Sequence, residues 1–286
     1  MYAAFRGELF KVVRRPGIWV LVGLFLALAI LLGYAITWLI YTHPPPNSSQ
    51  GLPPGTTLAD FKVALYPENF VKETMNQWGV LGGVFALIVG VLMQGSEYGW
   101  GTIKTLYTQR YGRLTMLFGK VAAMFVVVLV IVIGLFAVDA ACSWVVAQLD
   151  GKTSSFPAGD VIVKAMAAAF LIFAFWAVFG FALTTVFRQS ALAIGLGLAY
   201  ALVIELLIFG LLAGLGASVV KPIQQWFPIA NSTYLTQSFG QVRLRGLQSQ
   251  PAPYADATHA VVMLVLYVLA FTALTAWLTR TRDVTS

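Results

Sequence analysis

Nucleotide hydrolysis needs a glycine-rich loop ending in Lys and Ser or Thr, whose amides cradle phosphate and whose hydroxyl holds magnesium. The nearest string is Gly112-Arg-Leu-Thr-Met-Leu-Phe-Gly119-Lys120-Val121. Its glycines are wrongly spaced, and Val121 has no oxygen to offer a metal. The chain has no Gly-x-Ser-x-Gly turn for a serine nucleophile and no His-Glu-x-x-His pair for zinc. His43 and His259 are too few for a histidine-built metal site, and Cys142, the only cysteine, has no partner for an internal disulfide. What stands out instead is where charge falls against long apolar runs. Asp139 and Glu205 interrupt such runs, while Lys and Arg gather at their ends.

Of the 286 residues, 59% are hydrophobic and 10% charged, and the mean hydropathy is +0.82. A soluble domain carries about 25% charged residues, so this composition cannot cover a water-facing surface. A polytopic membrane protein follows. A secreted soluble enzyme, a disordered regulator and a nucleic-acid-binding domain are excluded, and the net charge of +7 calls for a membrane explanation. A spanning helix needs about 20 apolar residues to cross about 30 Å of hydrocarbon. Six runs qualify, near 17–41, 79–97, 117–147, 161–187, 191–217 and 259–279. The fourth and fifth meet across Arg188-Gln189-Ser190, where a tight helical hairpin is expected. The first is too long for a cleaved signal peptide and lacks a small-residue cleavage pattern. The chain therefore reads as one all-α transmembrane domain over 1–286.

Orientation follows from Lys and Arg near the helix ends. With both termini cytoplasmic, the inner segments hold Arg6, Lys11, Arg14, Arg15, Lys104, Arg110, Arg113, Lys120, Arg188, Arg280 and Arg282, eleven in all. The outer ones hold Lys62, Lys72, Lys152, Lys164, Lys221, Arg243 and Arg245, seven in all. The basic excess then faces the anionic inner leaflet or a cytoplasmic partner. Composition rich in Ala, Val and Gly, with short loops, points to a bacterial plasma membrane.

Three connecting segments have more character than a linker. Residues 2–15 form an amphipathic helix, with Tyr2, Phe5, Leu9, Val12 and Val13 on one face and Lys11, Arg14 and Arg15 opposite. Pro16 suits the start of the next helix. The segment lies flat in the interface, or serves only as an orientation signal. Between the second and third runs, Gly95, Gly99 and Gly101 break the helix, and Thr102 can cap a short one near 103–109. This is a force-transmitting segment or an ordinary basic loop. The outer loop 42–78 opens with Pro44-Pro45-Pro46 and carries amphipathic character around 58–75, enough for a short helix. Residues 218–258 contain Trp226, Phe227, Pro228, Ile229, Tyr234, Leu235 and Phe239, too apolar for water and too broken to span. They are expected to dip back into the outer leaflet against protein.

A family resemblance rests on these residues. The basic amphipathic start with its Arg14-Arg15-Pro16 exit, the second run ending at Glu97 and Gly101-Thr102, Arg113 and Gly119-Lys120 leading into the third, and Phe227-Pro228 before the sixth together resemble the permease subunits of type-2 exporters in the ATP-binding-cassette superfamily. The resemblance implies an ATP-driven exporter whose six-span subunits dimerise, with a second copy or a sister permease. Separate P-loop ATPase subunits would dock on the cytoplasmic face, so ATP and magnesium would belong to the partner and this chain would hold no cofactor. It also implies an interfacial elbow helix over 2–15 (Phe5, Leu9, Lys11, Arg14, Arg15). The coupling segment would be 97–112, with Glu97, Gly101, Thr102, Lys104, Arg110 and Arg113. The outer gate would carry Trp226, Phe227 and Pro228. With the second and fifth spans lining the pathway, Glu205 and its helical neighbours Leu198, Leu202, Ile208 and Phe209 become pathway candidates. The alternative for Glu205 is a structural hydrogen bond to a neighbouring helix.

Asp139 lies about 30 Å beyond Lys120 along a helix, near the outer interface, where a wetted helix end is expected. The aromatic residues Phe170, Phe173, Phe175, Trp176, Phe179 and Phe181 surround their helix, which suits packing and lipid contact better than a binding stripe. Gly79 with Gly83 and Gly210 with Gly214 suit close helix approach, and the fifth span is a dimer-contact candidate. Asn47-Ser48-Ser49 and Asn231-Ser232-Thr233 match glycosylation acceptors that would be idle in a bacterium. Competing classes are a polytopic scaffold or embedded enzyme without ATP coupling, and a secondary carrier. The carrier gets no support from an internal repeat. An amphiphile from the inner leaflet is the favoured cargo type.

Overall fold

The computed structural model describes residues 2–43, 62–99, 112–153, 155–212, 217–240 and 255–282. The regular elements among them are helices: α1 (Tyr2–Val13), α2 (Pro16–Thr42), α3 (Phe70–Gly99), α4 (Arg113–Leu149), α5 (Gly159–Phe187), α6 (Ser190–Leu212), α7 (Ala217–Gln224), α8 (Pro228–Gln237) and α9 (Ala257–Thr281). Six of these, α2 to α6 and α9, are long and apolar enough to cross a membrane. The chain is an all-α, multi-pass membrane protein. The expected short helix at 103–109, together with Gly101, Thr102, Lys104, Arg110 and Gly214, lies outside the described residues.

The expected spans recur with shifted ends. The largest shift is in α3, which begins at Phe70 and not at 79. Phe70, Val71, Met75 and Trp78 are all buried, so the polar residues between them ride on a helix whose other face is core. The short helix expected around 58–75 is thereby split. One helical turn at 62–64 stops before Pro67, because the residue preceding a proline avoids helical geometry. The hairpin at Arg188 forms as expected. Arg188 closes α5 in the left-handed region at φ 55° and donates its N–H to Thr184 O at 2.8 Å.

The helices run back and forth between two ends. One end gathers α1, the close of α3, the start of α4, the α5–α6 hairpin and the close of α9. There Arg282 Nη1 donates to Thr185 O (3.1 Å) and Val186 O (2.9 Å), and Arg113 Nη1 donates to Arg282 O (3.2 Å). The opposite end is tied by Lys62 Nζ to Asp150 Oδ1 (2.5 Å) and by Asn76 Nδ2 to Gly240 O (2.8 Å).

At least half of the most apolar stretch is buried in α3, α4 and α5, against under a quarter in α2, α6 and α9. The first three form the centre and the others the rim. Glycines let α3 and α5 interlock. A Cβ on Gly90 would stand 1.9 Å from Ala177 O, and one on Gly180 would stand 2.3 Å from Leu87 O. Without hydrophobic drive between helices in lipid, such backbone-level packing is what holds spans together. Phe173, Phe175, Trp176 and Phe181 of the aromatic run fill this centre with at most 1% exposure, so packing accounts for most of that run.

Two rim helices contain a wide turn: α2 over Ala29–Ala35 and α6 over Tyr200–Ile204 are π-helical. Each carries extra residues per turn, which shifts the phase of everything after it.

Candidate functional site

At the end with the termini, α1 lies against α4. Gly119 leaves room for the crossing, since a Cβ there would come 2.9 Å from Phe5 N. The row Ala4, Glu8 and Val12, spaced one turn apart, is buried. Phe5 packs beside it, half-buried Leu9 borders it, and Tyr2, Phe10 and Val13 are exposed. Lys11 was expected opposite the apolar face. It lies at the buried edge, because two acids draw it there. Its Nζ donates to Glu8 Oε1 at 2.6 Å and sits 3.6 Å from Glu97 Oε1. Lys120 Nζ donates to Glu97 Oε2 and, at 3.0 Å, to Gln94 Oε1. Arg113, Met116 and Leu117 close a small polar cavity around this junction. Arg14 stacks its guanidinium over Phe10 at 4.7 Å on the exposed side, and Arg15 is half-buried at the α1–α2 turn. The lysine of the failed phosphate-binding string is thus one half of a buried ion pair. Breaking such a pair by removing one partner costs more than the pair itself gains.

The other end is organised around Glu205. Helix α8 starts with Phe227 as its N-cap and Pro228 in its first turn, leaving the following amides without helical partners. Glu205 supplies them from α6. Its Oε2 accepts from Ile229 N (3.1 Å) and from Tyr200 OH (3.1 Å), and its Oε1 accepts from Ala230 N (2.9 Å). The carboxylate is therefore a helix cap delivered from 24 residues away in sequence, placed where the helix dipole favours negative charge. Glu205 is 4% exposed, while Leu202, expected on its face, is 53% exposed. The face drawn through Leu198, Leu202, Glu205, Ile208 and Phe209 assumes an unbroken α-helix, and the π-helical turn rotates one half against the other. The same turn lets Tyr200 and Glu205, five residues apart, meet. Of the two readings open for Glu205, the geometry supplies the hydrogen bonds of the structural one.

The gate candidates gather near this cap. Phe209 meets Phe227 edge to face with ring centroids 4.9 Å apart. Pro228 is buried and Trp226 exposed. Tyr267 OH of α9 donates to Trp226 O, and His259 Nε2 lies 3.0 Å from Gln225 O. Gly79 and Gly83 serve different neighbours, since added Cβ atoms would strike Thr236 of α8 and Trp176 of α5, each at 2.2 Å. Gly210 meets nothing within 4 Å.

Asp139 overturns the expectation of a wetted helix end. It is 1% exposed, and Thr74 Oγ1 donates to its Oδ2 at 2.6 Å. Helix α4 continues to Leu149, and the early start of α3 brings Thr74 alongside. Beyond the span ends, burial and the Tyr66 OH donation to Asp150 Oδ2 (2.9 Å) push the Tyr66 phenol from its ordinary 10.0 up to about 12.

Sequence reasoning did not single out Glu8, Gln94, Thr74 or Tyr200. Lys120 facing Glu97 was legible in principle, because antiparallel neighbours bring the close of one span to the start of the next. Glu205 as a cap was not, because no local pattern joins it to residue 229. A family model described as "ABC-2 family transporter protein" matches residues 2–284. No curated protein matches the sequence. With six spans and a match over nearly the whole length, the chain belongs to the ABC-2 transporter family, the membrane permease components of ATP-binding-cassette exporters.

Proposed function

We propose that this chain is the transmembrane subunit of an ATP-driven exporter in a bacterial plasma membrane, with both termini cytoplasmic. It pairs with a second copy or a sister permease and draws its energy from separate P-loop ATPase subunits. The observation that carries the reading is the buried junction of Lys11, Glu8, Glu97, Lys120 and Gln94. It ties α1, α3 and α4 together at the two points from which segment 97–112 departs and returns. A push on Lys104, Arg110 or their neighbours would reach three helices at once through paired charges. On this reading α1 is the elbow and α7–α8 form the re-entrant outer gate. Helices α3 and α6 border the pathway, whose walls include Leu198, Ile208 and Phe209. Exposed Leu202, Leu207 and Leu211 of α6 are offered to the second subunit. An ATPase shifts such a gate only by binding its two states with different affinity.

The test is charge reversal at Lys104 and Arg110 together in the full chain, followed by affinity purification from native membranes. The wild-type chain brings down a P-loop ATPase that hydrolyses ATP in the complex. The reversed chain, at equal abundance in the membrane, loses that subunit or its hydrolysis. Normal docking and coupling in the variant would reduce 97–112 to a topogenic loop, and the absence of any nucleotidase in the wild-type complex would overturn the proposal.

A further inference from the structure

An aromatic cavity of about 360 Å³ lies between α5, α6, α9 and the turn leading into α8, within the size range of small-molecule sites. Its walls include Phe175, Phe179, Tyr200, Trp226, Tyr267 and Phe271. The rings form one continuous surface. Phe175 stacks with Phe179 (centroids 6.0 Å apart), Phe179 meets Phe271 (5.2 Å) and Tyr200 (5.5 Å), and Tyr267 stacks with Phe271 (6.3 Å).

Both phenols in this wall spend their protons on the protein. Tyr267 donates to Trp226 O, and Tyr200 donates to Glu205 Oε2. The cavity therefore presents ring faces and no phenolic donor, which disfavours an anion or a polar acceptor. Behind it stands a buried carboxylate held only by neutral donors, Tyr200 OH and the amides of Ile229 and Ala230. Among the described residues no Lys or Arg pairs with Glu205. A phenol that donates to a carboxylate becomes more electron-rich, and ring faces attract cations most strongly where water is excluded. A hydrocarbon tail would satisfy the apolar walls and leave this negative charge without an answer.

We infer that the cavity binds a lipophilic organic cation, one whose charge is spread over aromatic or alkyl groups. Only the ligand's role as cargo rests on the exporter reading; the binding itself does not. The experiment therefore uses the purified full chain in lipid nanodiscs with no ATPase present, so that absence of a docked ATPase and absence of binding are separate results. Equilibrium binding of tetraphenylphosphonium is measured against protein-free nanodiscs, beside tetraphenylborate, which has the same shape and the opposite sign. Saturable binding of the cation alone is expected. Tyr267→Leu and Phe179→Leu should each weaken it about fivefold, the scale of one desolvated cation–π contact. Tyr267→Phe, which keeps the ring, should hold within twofold, and Glu205→Gln should weaken binding while helical content is unchanged. Equal binding of both ions would make the cavity a lipid-tail pocket and overturn the inference. So would non-saturable uptake of the cation, or saturable binding that none of the ring substitutions alters.

Discussion

Replacing Glu205 with Ala removes three hydrogen bonds and leaves the Ile229 and Ala230 amides without an acceptor. Ala230 is 5% exposed, so water replaces the lost partner poorly. A buried donor left unsatisfied costs about 1–3 kcal/mol, and two such donors set a gross loss near 4 kcal/mol. Against this stands the desolvation penalty of the carboxylate, which the substitution relieves. A net loss of about 2–4 kcal/mol is left, centred on the first turn of α8. Glu205→Gln keeps one acceptor oxygen for one amide and should cost about 1 kcal/mol, and Tyr200→Phe, which loses one phenol bond, about the same. Hydrogen exchange by mass spectrometry over 227–238 reads this directly. Each 1.4 kcal/mol is tenfold in the opening equilibrium, so Glu205→Ala should speed exchange there about a hundredfold while peptides from α4 stay unchanged. Unaltered protection of α8 in that variant would refute the capping argument. Slowed exchange in Glu205→Gln would show that desolvation outweighs the bonds.

Gly90→Ala puts a methyl group 1.9 Å from the Ala177 carbonyl oxygen, which cannot rotate away. Helices α3 and α5 must part, at a cost of about 1–3 kcal/mol, whereas Gly195→Ala meets nothing within 4 Å and gains up to about 1 kcal/mol of helix stability. Thermal unfolding followed by dye labelling of Cys142 should lower the midpoint for the first and hold or raise it for the second. At the end opposite the termini, the folded chain holds the Tyr66 proton more tightly than the unfolded chain. Tyr66 thus contributes its full stability below pH 10 and loses it as pH climbs to about 12. Melting curves by circular dichroism at pH 9 and pH 11 should differ more for wild type than for Tyr66→Phe, and equal differences would remove Tyr66 from that dependence.

Hydropathy alone located the spans because each must present an apolar surface over the same membrane thickness, and that demand is averaged over many residues. It missed the first nine residues of α3, where Lys72, Glu73, Asn76 and Gln77 lower the average although Phe70, Val71, Met75 and Trp78 are core. Lys11 was misplaced for a related reason. Amphipathicity ranks a lysine as outward-facing and cannot see that Glu97, eighty-six residues later, ends a helix beside it. Asp139 was judged by its distance along one helix, but its burial depends on where the neighbouring helix begins. Glu205 was noticed because a lone acid in an apolar run is costly. Its partners escaped notice because a cap given by one helix to another leaves no trace in local spacing.

The wide turn over Tyr200–Ile204 makes α6 two rods joined out of step. Deleting one residue there would close the turn to ordinary pitch and swing all that follows by about 100°, carrying the acid off the amides it holds. Related chains compared through this stretch should be aligned as two independent frames. An insertion or gap at this point would then mark a changed tether between α6 and α8, with the membrane span itself left intact.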